Sequence, residues 1–250
     1  MGRCKSIQDI KIVGIFDENQ IFCSQDAHKA SIELEERALK YQDDENQFFK
    51  DASFIVGFVN ISSLRAHHTC LIQDKDFMNC NVIGLAETWL HPGEEIHTAS
   101  YECHFINAGR GKGLASLTKD HPQQIETIKR DEYSMMRIQI ENKCIIFVYI
   151  SKTATPSEYL KDIDILLQDT SEIPTVLIGD VNWHYMKQFH PMKKFMTEKG
   201  LMQLIEKPTH IDGNTIDHVY INPKMKDLNV EIFQKPVSYS DHYALFLKIN

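Results

Sequence analysis

Short runs of apolar residues, separated by polar turn signals, recur from position 52 to the end of the chain. Runs of this length, rich in β-branched and aromatic residues, are typical of buried strands. We predict strands at 54–59, 82–86, 114–118, 135–140, 144–150, 176–178, 216–221, 230–233 and 244–249. The short polar segment Glu141, Asn142 and Lys143 lies between two of these runs and predicts a hairpin.

Two segments have helical rather than strand periodicity. In the first, Thr155 and Glu158 have the spacing of a capping box, a proline follows the threonine, and apolar residues then recur at helical spacing. We therefore predict a helix at 156–168. A second helix is predicted at 192–199, ending at Gly200, because glycine suits the left-handed position that follows a helix. Helices dispersed among many strands predict an α/β (α+β) fold in which helices cover layers of sheet.

The first 51 residues differ from the rest of the chain. They are polar and rich in charge, with helix-forming residues but only an incomplete apolar stripe. We predict a polar, partly helical N-terminal lead-in at 1–51, followed by the main domain at 52–250. The opening sequence MGRCKS also matches the pattern for myristoylation at Gly2. Because so short a pattern often arises by chance, lipidation at Gly2 is left open.

Composition narrows the class of protein. Of the 250 residues 42% are apolar, which is enough for a core, and the net charge of −8 disfavours binding nucleic acid by charge alone. The six cysteines include no CxxC pair, so we expect free thiols rather than zinc sites or disulfides. The apolar runs are too short to span a bilayer, and the N-terminus has no apolar secretory stretch. We therefore expect an intracellular protein, nuclear or cytoplasmic, without stable membrane association.

Polar side chains stand at the ends of several predicted strands. The apolar run at 175–178 leads into Asp180 and Asn182, where a buried polar group is costly unless it holds a metal ion or a phosphate. The same setting recurs elsewhere along the chain, at Asn60, Glu87, Asp217 and Asp241. A sheet can gather such ends into one pocket, where oxygen ligands suit Mg²⁺ or Mn²⁺ better than zinc. The pattern predicts an active site.

His242 directly follows Asp241, and we predict that Asp217 holds its ring in one tautomer. A histidine fixed by a carboxylate can serve as a general base or stabilise a phosphate. Each motif taken singly has a plainer alternative, because Asp180 with Asn182 suits a turn after a strand, and Asp241 with His242 suits an ordinary loop. Their occurrence together and in this order favours phosphoester hydrolysis.

A series of short motifs runs in order through the main domain. The motifs are NISSLR at 60–65, LAETWL at 85–90, GKGLA at 111–115, VY at 148–149, IGDVN at 178–182, PTH at 208–210, TIDH at 215–218 and SDH at 240–242. This series resembles that of the endonuclease/exonuclease/phosphatase superfamily. The resemblance covers 52–250 and implies a two-sheet sandwich, flanked by helices, that cleaves phosphoesters with a divalent cation. The forms of the ETWL and PTH motifs look most like endonuclease domains of LINE-type retrotransposons and Helitron-type transposon proteins.

The resemblance also implies a role for each position of the site. Glu87 is implied as the principal metal ligand, with Asn60 and Asp241 beside the metal. Asp180 is implied as the residue that activates the attacking water. The side chains implied at the phosphate are Asn182, Tyr149 and His242, the last oriented by Asp217.

Three further side chains are candidates for substrate binding. Arg110 and Lys112 lie in a short, basic, glycine-rich loop, and His184 follows the IGDVN motif closely enough to line the pocket. The preferred function is a Mg²⁺-dependent DNA endonuclease of mobile-element origin, either part of a longer polyprotein or standing alone. Two alternatives stay open. One is a phosphatase of the same superfamily acting on a small or lipid phosphate, and the other is a catalytically silent binding relic.

Overall fold

The computed structural model describes residues 48–50, 53–187 and 190–250. Asp51–Asn250 form one compact unit, which contains both of the sheets that carry the candidate site. Apart from 48–50, the predicted lead-in at 1–51 lies outside the described residues. The myristoylation pattern at Gly2 lies outside them as well, so both stay predictions.

The strands of this unit form two six-stranded mixed sheets. In chain order they are β1 (Phe54–Asn60), β2 (Val82–Ala86), β3 (Glu102–Ile106), β4 (Leu114–Thr118), β5 (Gln124–Lys129), β6 (Tyr133–Ile140), β7 (Lys143–Ile150), β8 (Thr175–Asp180), β9 (Met202–Gln203), β10 (Asp217–Ile221), β11 (Val230–Pro236) and β12 (Tyr243–Ile249). The first sheet has the order β11-β12-β1-β2-β4-β3 and the second β5-β6-β7-β8-β10-β9. Each contains one parallel pair, β1 with β2 and β7 with β8. The predicted two-sheet sandwich is confirmed.

Helices occupy the connections between strands. They are α1 (Leu64–Gln73), α2 (Lys75–Asn79), α3 (Pro156–Leu166), α4 (Pro191–Glu198) and α5 (Pro223–Lys226). The apolar stripe of α3, represented by Tyr159 and Ile163, packs together with Met192 and Met196 of α4 against outward-facing residues of the second sheet. These two helices therefore cover the outer face of that sheet.

The main core lies between the two sheets. Side chains alternate along β7, so that Phe147 faces the first sheet while its neighbours face α3 and α4. The ring of Phe147 stacks on Phe58 of β1, with centroids 6.3 Å apart. Gly84 of β2 makes room for it, because a Cβ there would lie 2.2 Å from the Phe147 ring. We expect truncation of Phe147 to alanine to cost about 3–5 kcal/mol of stability.

Each strand predicted from the apolar runs is present, and the pairing of Ile140 with Lys143 confirms the hairpin. The predicted helices are present as α3 and α4, and α4 is followed by Gly200 at φ +73°. The predicted capping box is wrong. Thr155 is the N-cap, but its side chain makes no capping hydrogen bond, and its backbone carbonyl accepts from the N–H of Glu158 instead.

The elements that sequence patterning missed are short or half-exposed. Strand β5 is polar at most positions, strand β3 contains Glu102 and His104, and both are mainly half-buried or exposed, so neither forms a continuous apolar run. Helices α2 and α5 span 5 and 4 residues, which is too short for a periodic pattern.

The described part of the chain bears on two expectations from the composition, which concern the cysteines and membrane-spanning segments. Cys80, Cys103 and Cys144 are free thiols, as predicted, while Cys4 and Cys23 lie outside the described residues. Among the described helices, none combines the length and the apolar character that crossing a bilayer requires.

Candidate active site

The strand register brings the predicted polar residues to one end of the sandwich. Asn60 ends β1 and pairs with Ala86, so Glu87 follows immediately at the same end of the first sheet. In the second sheet Asp180 ends β8 and pairs directly with Asp217, the first residue of β10. The two sheets meet here through a hydrogen bond from Asn60 Nδ2 to Asp180 Oδ2, 2.9 Å long. Residues distant in sequence therefore share one site.

Asp180 is fully buried and accepts hydrogen bonds at both oxygens. Besides the amide of Asn60, the backbone N–H of Asn182 donates to Oδ1 at 2.8 Å and the side-chain amide of Asn182 donates to Oδ2 at 3.1 Å. Burial, and next the charge of Asp217, raise the pKa of Asp180 to about 7, although His242 and the amide donors act in the opposite direction. This carboxylate can exchange a proton near neutral pH.

Asp217 and His242 form a buried pair. The imidazole Nδ1–H donates to both oxygens of Asp217, at 2.9 and 3.1 Å, which fixes the tautomer and leaves Nε2 for other contacts. Burial lowers the pKa of His242, but the charges of Asp217, Asp180 and Asp241 outweigh it and raise that pKa to about 9. The predicted pairing is present, and it favours a protonated imidazole at neutral pH.

Ser240 connects this pair to the first sheet. Its hydroxyl donates to the backbone carbonyl of Asn60 at 2.6 Å and accepts from the backbone N–H of His242 at 3.1 Å. The serine of the SDH motif therefore fixes the position of the His242 backbone relative to the end of β1.

Glu87 lies at the same end of the sandwich, in contact with aromatic residues. The indole N–H of Trp89 donates to its carboxylate at 3.1 Å. Burial, followed by the charges of Glu87 and Asp180, raises the pKa of Tyr149 well above its usual value. Its hydroxyl donates to the carbonyl of Gly111 at 2.8 Å. Tyr149 is therefore a neutral hydrogen-bonding group close to both carboxylates.

Three residues of the site have strained backbones. Ser62, Glu87 and Asn182 have φ of 45°, 51° and 53°, in the left-handed region that residues other than glycine rarely adopt. Such conformations cost free energy and persist where the surrounding structure holds them, often at functional sites. At Asn182 the hydrogen bonds to Asp180 supply that restraint.

A cavity of about 540 Å³ opens at this end of the sandwich. The predicted site residues that line it are Asn60, Glu87, Asn182, His184, Asp241 and His242. Asp180 and Asp217 lie directly behind this lining, hydrogen-bonded to Asn60, Asn182 and His242. Arg110 and Lys112 do not line the cavity. The guanidinium of Arg110 lies over the Trp89 ring, and Lys112 Nζ donates to the carbonyl of Asp131, so their substrate role stays a prediction.

Several further residues line the cavity. They are Ser62, Lys152, Trp183, Lys187, His210, Asp212, Asn214 and Ile216. The PTH motif was the available signal for His210, whereas Lys152 and Lys187 sit in loops where lysine is common. His210 Nδ1 accepts from the backbone N–H of Asp212 at 3.1 Å, so Nε2 carries the proton and faces Asp241 at 3.3 Å. His210 therefore orients the Asp241 carboxylate.

The donor atoms around the cavity fit a hard divalent cation. Glu87 and Asp241 supply carboxylate oxygens, and the Asn60 side chain is oriented with its oxygen away from Asp180, because its nitrogen donates there. Ligand atoms of Asp180, Asp217 and His242 also lie within 4.8 Å of one another, as do those of His210, Asp241 and His242. Oxygen-rich sets of this kind suit Mg²⁺ or Mn²⁺. Which residues bind the metal stays a prediction.

Solved structures with the same architecture include an AP endonuclease from Archaeoglobus fulgidus, with a TM-score of 0.64 and 16% identity, covering 79% of this chain and 99% of that one. A variant of the 3′ phosphatase NExo from Neisseria, bound to a product DNA hairpin, superposes with a TM-score of 0.66 at 14% identity, over 79% of this chain and all of that one. This chain has the endonuclease/exonuclease/phosphatase fold.

The endonuclease domain of TRAS1, a telomere-specific non-LTR retrotransposon, shares that fold. Its TM-score is 0.59 at 16% identity, and the match covers 78% of this chain and 97% of that domain. No protein-family model and no curated protein sequence matches the chain. At such low identity the likeness establishes the endonuclease/exonuclease/phosphatase fold, and function has to be argued from the site.

Proposed function

We propose that this chain hydrolyses phosphodiester bonds of DNA with the help of Mg²⁺ or Mn²⁺, as an endonuclease. The observation that carries the proposal is the convergence of Asp180, Asn182, Glu87 and the Asp217–His242 pair on one cavity. The likeness to the TRAS1 endonuclease domain, together with the forms of the ETWL and PTH motifs, supports a mobile-element origin.

The charge around the cavity supports a requirement for a cation. The cationic groups that line it are Lys152, Lys187 and His242, whose pKa is raised to about 9. The carboxylates that line it or lie directly behind it are Glu87, Asp180, Asp212, Asp217 and Asp241. An anionic phosphodiester would be repelled by this excess of negative charge. A bound divalent cation would offset that charge and polarise the phosphoryl and leaving oxygens.

The chain's own residues supply the remaining functions. With Nδ1 bonded to Asp217, a protonated His242 can donate a hydrogen bond from Nε2 to a phosphoryl oxygen. Asp180, with a pKa near 7, is suited to accept a proton from the attacking water. Because Asp180 is fully buried, that water would reach it between the amides of Asn60 and Asn182. Those amides would thereby position the nucleophile.

Relaxation of supercoiled plasmid DNA tests the proposal. We expect nicking with Mg²⁺ or Mn²⁺, no nicking with EDTA, and strong loss of nicking in Asp180→Asn. Asp120→Asn is the matched control, because Asp120 is an exposed carboxylate in a surface bend outside the cavity lining. Nicking that persists in EDTA, or that survives unchanged in Asp180→Asn, would contradict the proposal.

A phosphatase is the second candidate, because one structural neighbour is described as a 3′ phosphatase. Release of inorganic phosphate from 3′-phosphorylated oligonucleotides and from inositol phosphates, measured beside plasmid nicking, separates the two. Phosphate release without nicking would favour the phosphatase. Absence of both activities, together with no Mg²⁺ or Mn²⁺ binding in calorimetry, would favour the binding relic.

A further inference from the structure

Trp183 is an aromatic side chain at the wall of the cavity that the hydrolytic chemistry does not use. It directly follows Asn182, is half-buried, and lines the same cavity as Asn60, Glu87 and His242. Its ring stacks on His190, with centroids 3.5 Å apart and planes inclined by 20°. A large aromatic ring left partly uncovered beside a polar cavity is a potential contact surface for a flat ligand.

The backbone around Trp183 is held by hydrogen bonds on both sides. The Trp183 carbonyl accepts from Nε2 of the buried His218 at 3.0 Å. The next residue, His184, accepts from the backbone N–H of Thr215 at its Nδ1, 2.9 Å away, and the N–H of Tyr185 donates to the carbonyl of Thr215 at 2.9 Å. The segment that carries the indole is therefore fixed to β10 and to the residues just before it.

His190 is itself a fixed support. It is the N-cap of α4, and its Nδ1 accepts from the backbone N–H of Met192 at 3.1 Å. Burial lowers the pKa of His190 to about 4, so the ring is neutral at physiological pH. Trp183 therefore rests on a rigid, uncharged aromatic ring, and little conformational entropy would be lost when a ligand stacks on it.

Cationic side chains that can contact phosphate line the same cavity. Lys187 lies four residues beyond Trp183 and lines the cavity, and Lys152 lines it as well. An aromatic ring with lysines nearby is the combination that holds single-stranded nucleic acid, since bases stack on the ring while phosphates contact the cations. The position next to Asn182 places this combination beside the candidate catalytic residues.

We propose that Trp183, supported by His190, is a stacking platform for an unpaired nucleobase next to the scissile phosphate. The inference rests on the proposed nuclease function and specifies its substrate. Because a base paired and stacked within a duplex has no free face, the favoured substrate is single-stranded or locally unpaired DNA rather than intact duplex.

Single-stranded oligonucleotides with and without bases beside the cleavage site test the platform. We expect the wild-type protein to cleave the base-containing strand about tenfold faster than one with abasic residues flanking the scissile phosphate. Trp183→Ala should lose this preference, whereas Trp183→Phe should retain most of it. If Trp183→Ala lowers both rates by the same factor, or leaves both unchanged, the platform is wrong while the nuclease proposal stands.

Tryptophan fluorescence provides a readout that needs no cleavage. Trp89 and Trp183 are the two tryptophans of the chain, so Trp183→Phe leaves Trp89 as an internal reference. With Ca²⁺ in place of Mg²⁺, we expect a single-stranded oligonucleotide to quench the wild-type protein and to leave Trp183→Phe nearly unchanged. Equal quenching in both, or none in either, would overturn the platform. Because this measurement needs no activity, it reports base stacking separately from cleavage, so failure of the platform and failure of the nuclease proposal can be distinguished.

Discussion

Two buried aspartates, Asp162 and Asp180, occupy very different surroundings. Asp162 on α3 forms an ion pair with Arg130, 3.0 Å away, and accepts from the Tyr133 hydroxyl at 2.8 Å. Asp180 accepts only amide hydrogen bonds in the part of the chain that the structure describes, and it faces Asp217 across the strand pair. Asp162 has a cationic partner of its own, whereas Asp180 shares the charge of the protonated His242 with Asp217.

The difference separates a structural carboxylate from the one proposed to be catalytic. A buried charge that is paired and hydrogen-bonded contributes to the fold and needs no other partner. A buried carboxylate beside another raises the free energy of the folded protein unless a proton or a metal ion offsets the charge. Burial alone therefore does not mark an active site, whereas a buried cluster with more carboxylates than cations does favour one.

The largest expected effect is on activity in Asp180→Asn. Loss of the proton acceptor should lower the single-turnover rate of DNA cleavage about 10²–10⁴-fold. Removing the buried charge and losing amide hydrogen bonds act in opposite directions on stability, so the free energy of unfolding should change by no more than about 1 kcal/mol. Urea titration in EDTA measures this free energy of unfolding.

Asp120→Asn should change neither the cleavage rate nor the free energy of unfolding, because Asp120 is exposed and outside the cavity lining. If Asp180→Asn unfolded the protein, Asp180 would belong with Asp162 as a structural carboxylate. The contrast between the two would then fail.

The second prediction concerns Asp217→Asn. Without the carboxylate, His242 loses the charge that raises its pKa, so less of it is protonated at neutral pH. We expect cleavage to fall about 10²–10³-fold, the range for loss of a single stabilising donor to a transition state. The basic limb of the pH–rate profile should also move to lower pH. An unchanged profile would show that His242 does not act as the protonated donor.

The sequence was informative about the site where its residues end buried strands. Asp180 and Asp217 could be located because apolar runs lead into or follow them, and the motif order indicated that they meet. The remaining geometry of the site depends on the register of the strands. That Asp180 pairs with Asp217, and that Asn60 connects the two sheets, follows from strand pairings far apart in sequence, which local pattern does not contain.

The sequence holds less information about which loop residues line the cavity. Arg110 and Lys112 were chosen for charge and flexibility, yet the lysines that line the cavity are Lys152 and Lys187. Trp183 was not among the candidates, although it directly follows Asn182. Loop conformation depends on tertiary hydrogen bonds, such as the one from His218 to the Trp183 carbonyl, and no periodicity records those.

The third prediction extends the contrast to two buried histidines. His242 has a carboxylate partner and a raised pKa, while His218 contacts the Trp183 carbonyl and the Tyr220 hydroxyl. Burial lowers the pKa of His218 to about 4, from 6.5. Between these two pKa values the unfolded chain therefore binds a proton at His218 that the folded protein does not. The folded protein accordingly has its full stability above pH 6.5 and loses part of it as the pH falls towards 4.

In His218→Gln this contribution to the pH dependence of stability should disappear. The difference in unfolding free energy between wild type and variant should shrink by about 3 kcal/mol between pH 7 and pH 4, measured by urea titration in EDTA. Asp180 titrates in both proteins and cancels in the difference. A constant difference across this range would mean that His218 titrates normally in the folded state.

The smallest effect is expected for Asp162→Ala, which should lower stability but not activity. The Tyr133 hydroxyl, on a residue only 4% exposed, would lose its acceptor at a cost of about 1–3 kcal/mol. Arg130 would contribute less, because 56% of its side chain is exposed. Asp164→Ala, on the same helix, is the control. Asp164 forms a more exposed pair with Lys199, so its loss should cost no more than about 0.5 kcal/mol. If Asp162→Ala abolished cleavage in a protein that still folds, a paired buried carboxylate would matter for catalysis. A cationic partner of its own, as Asp162 has in Arg130, would then no longer separate the two aspartates.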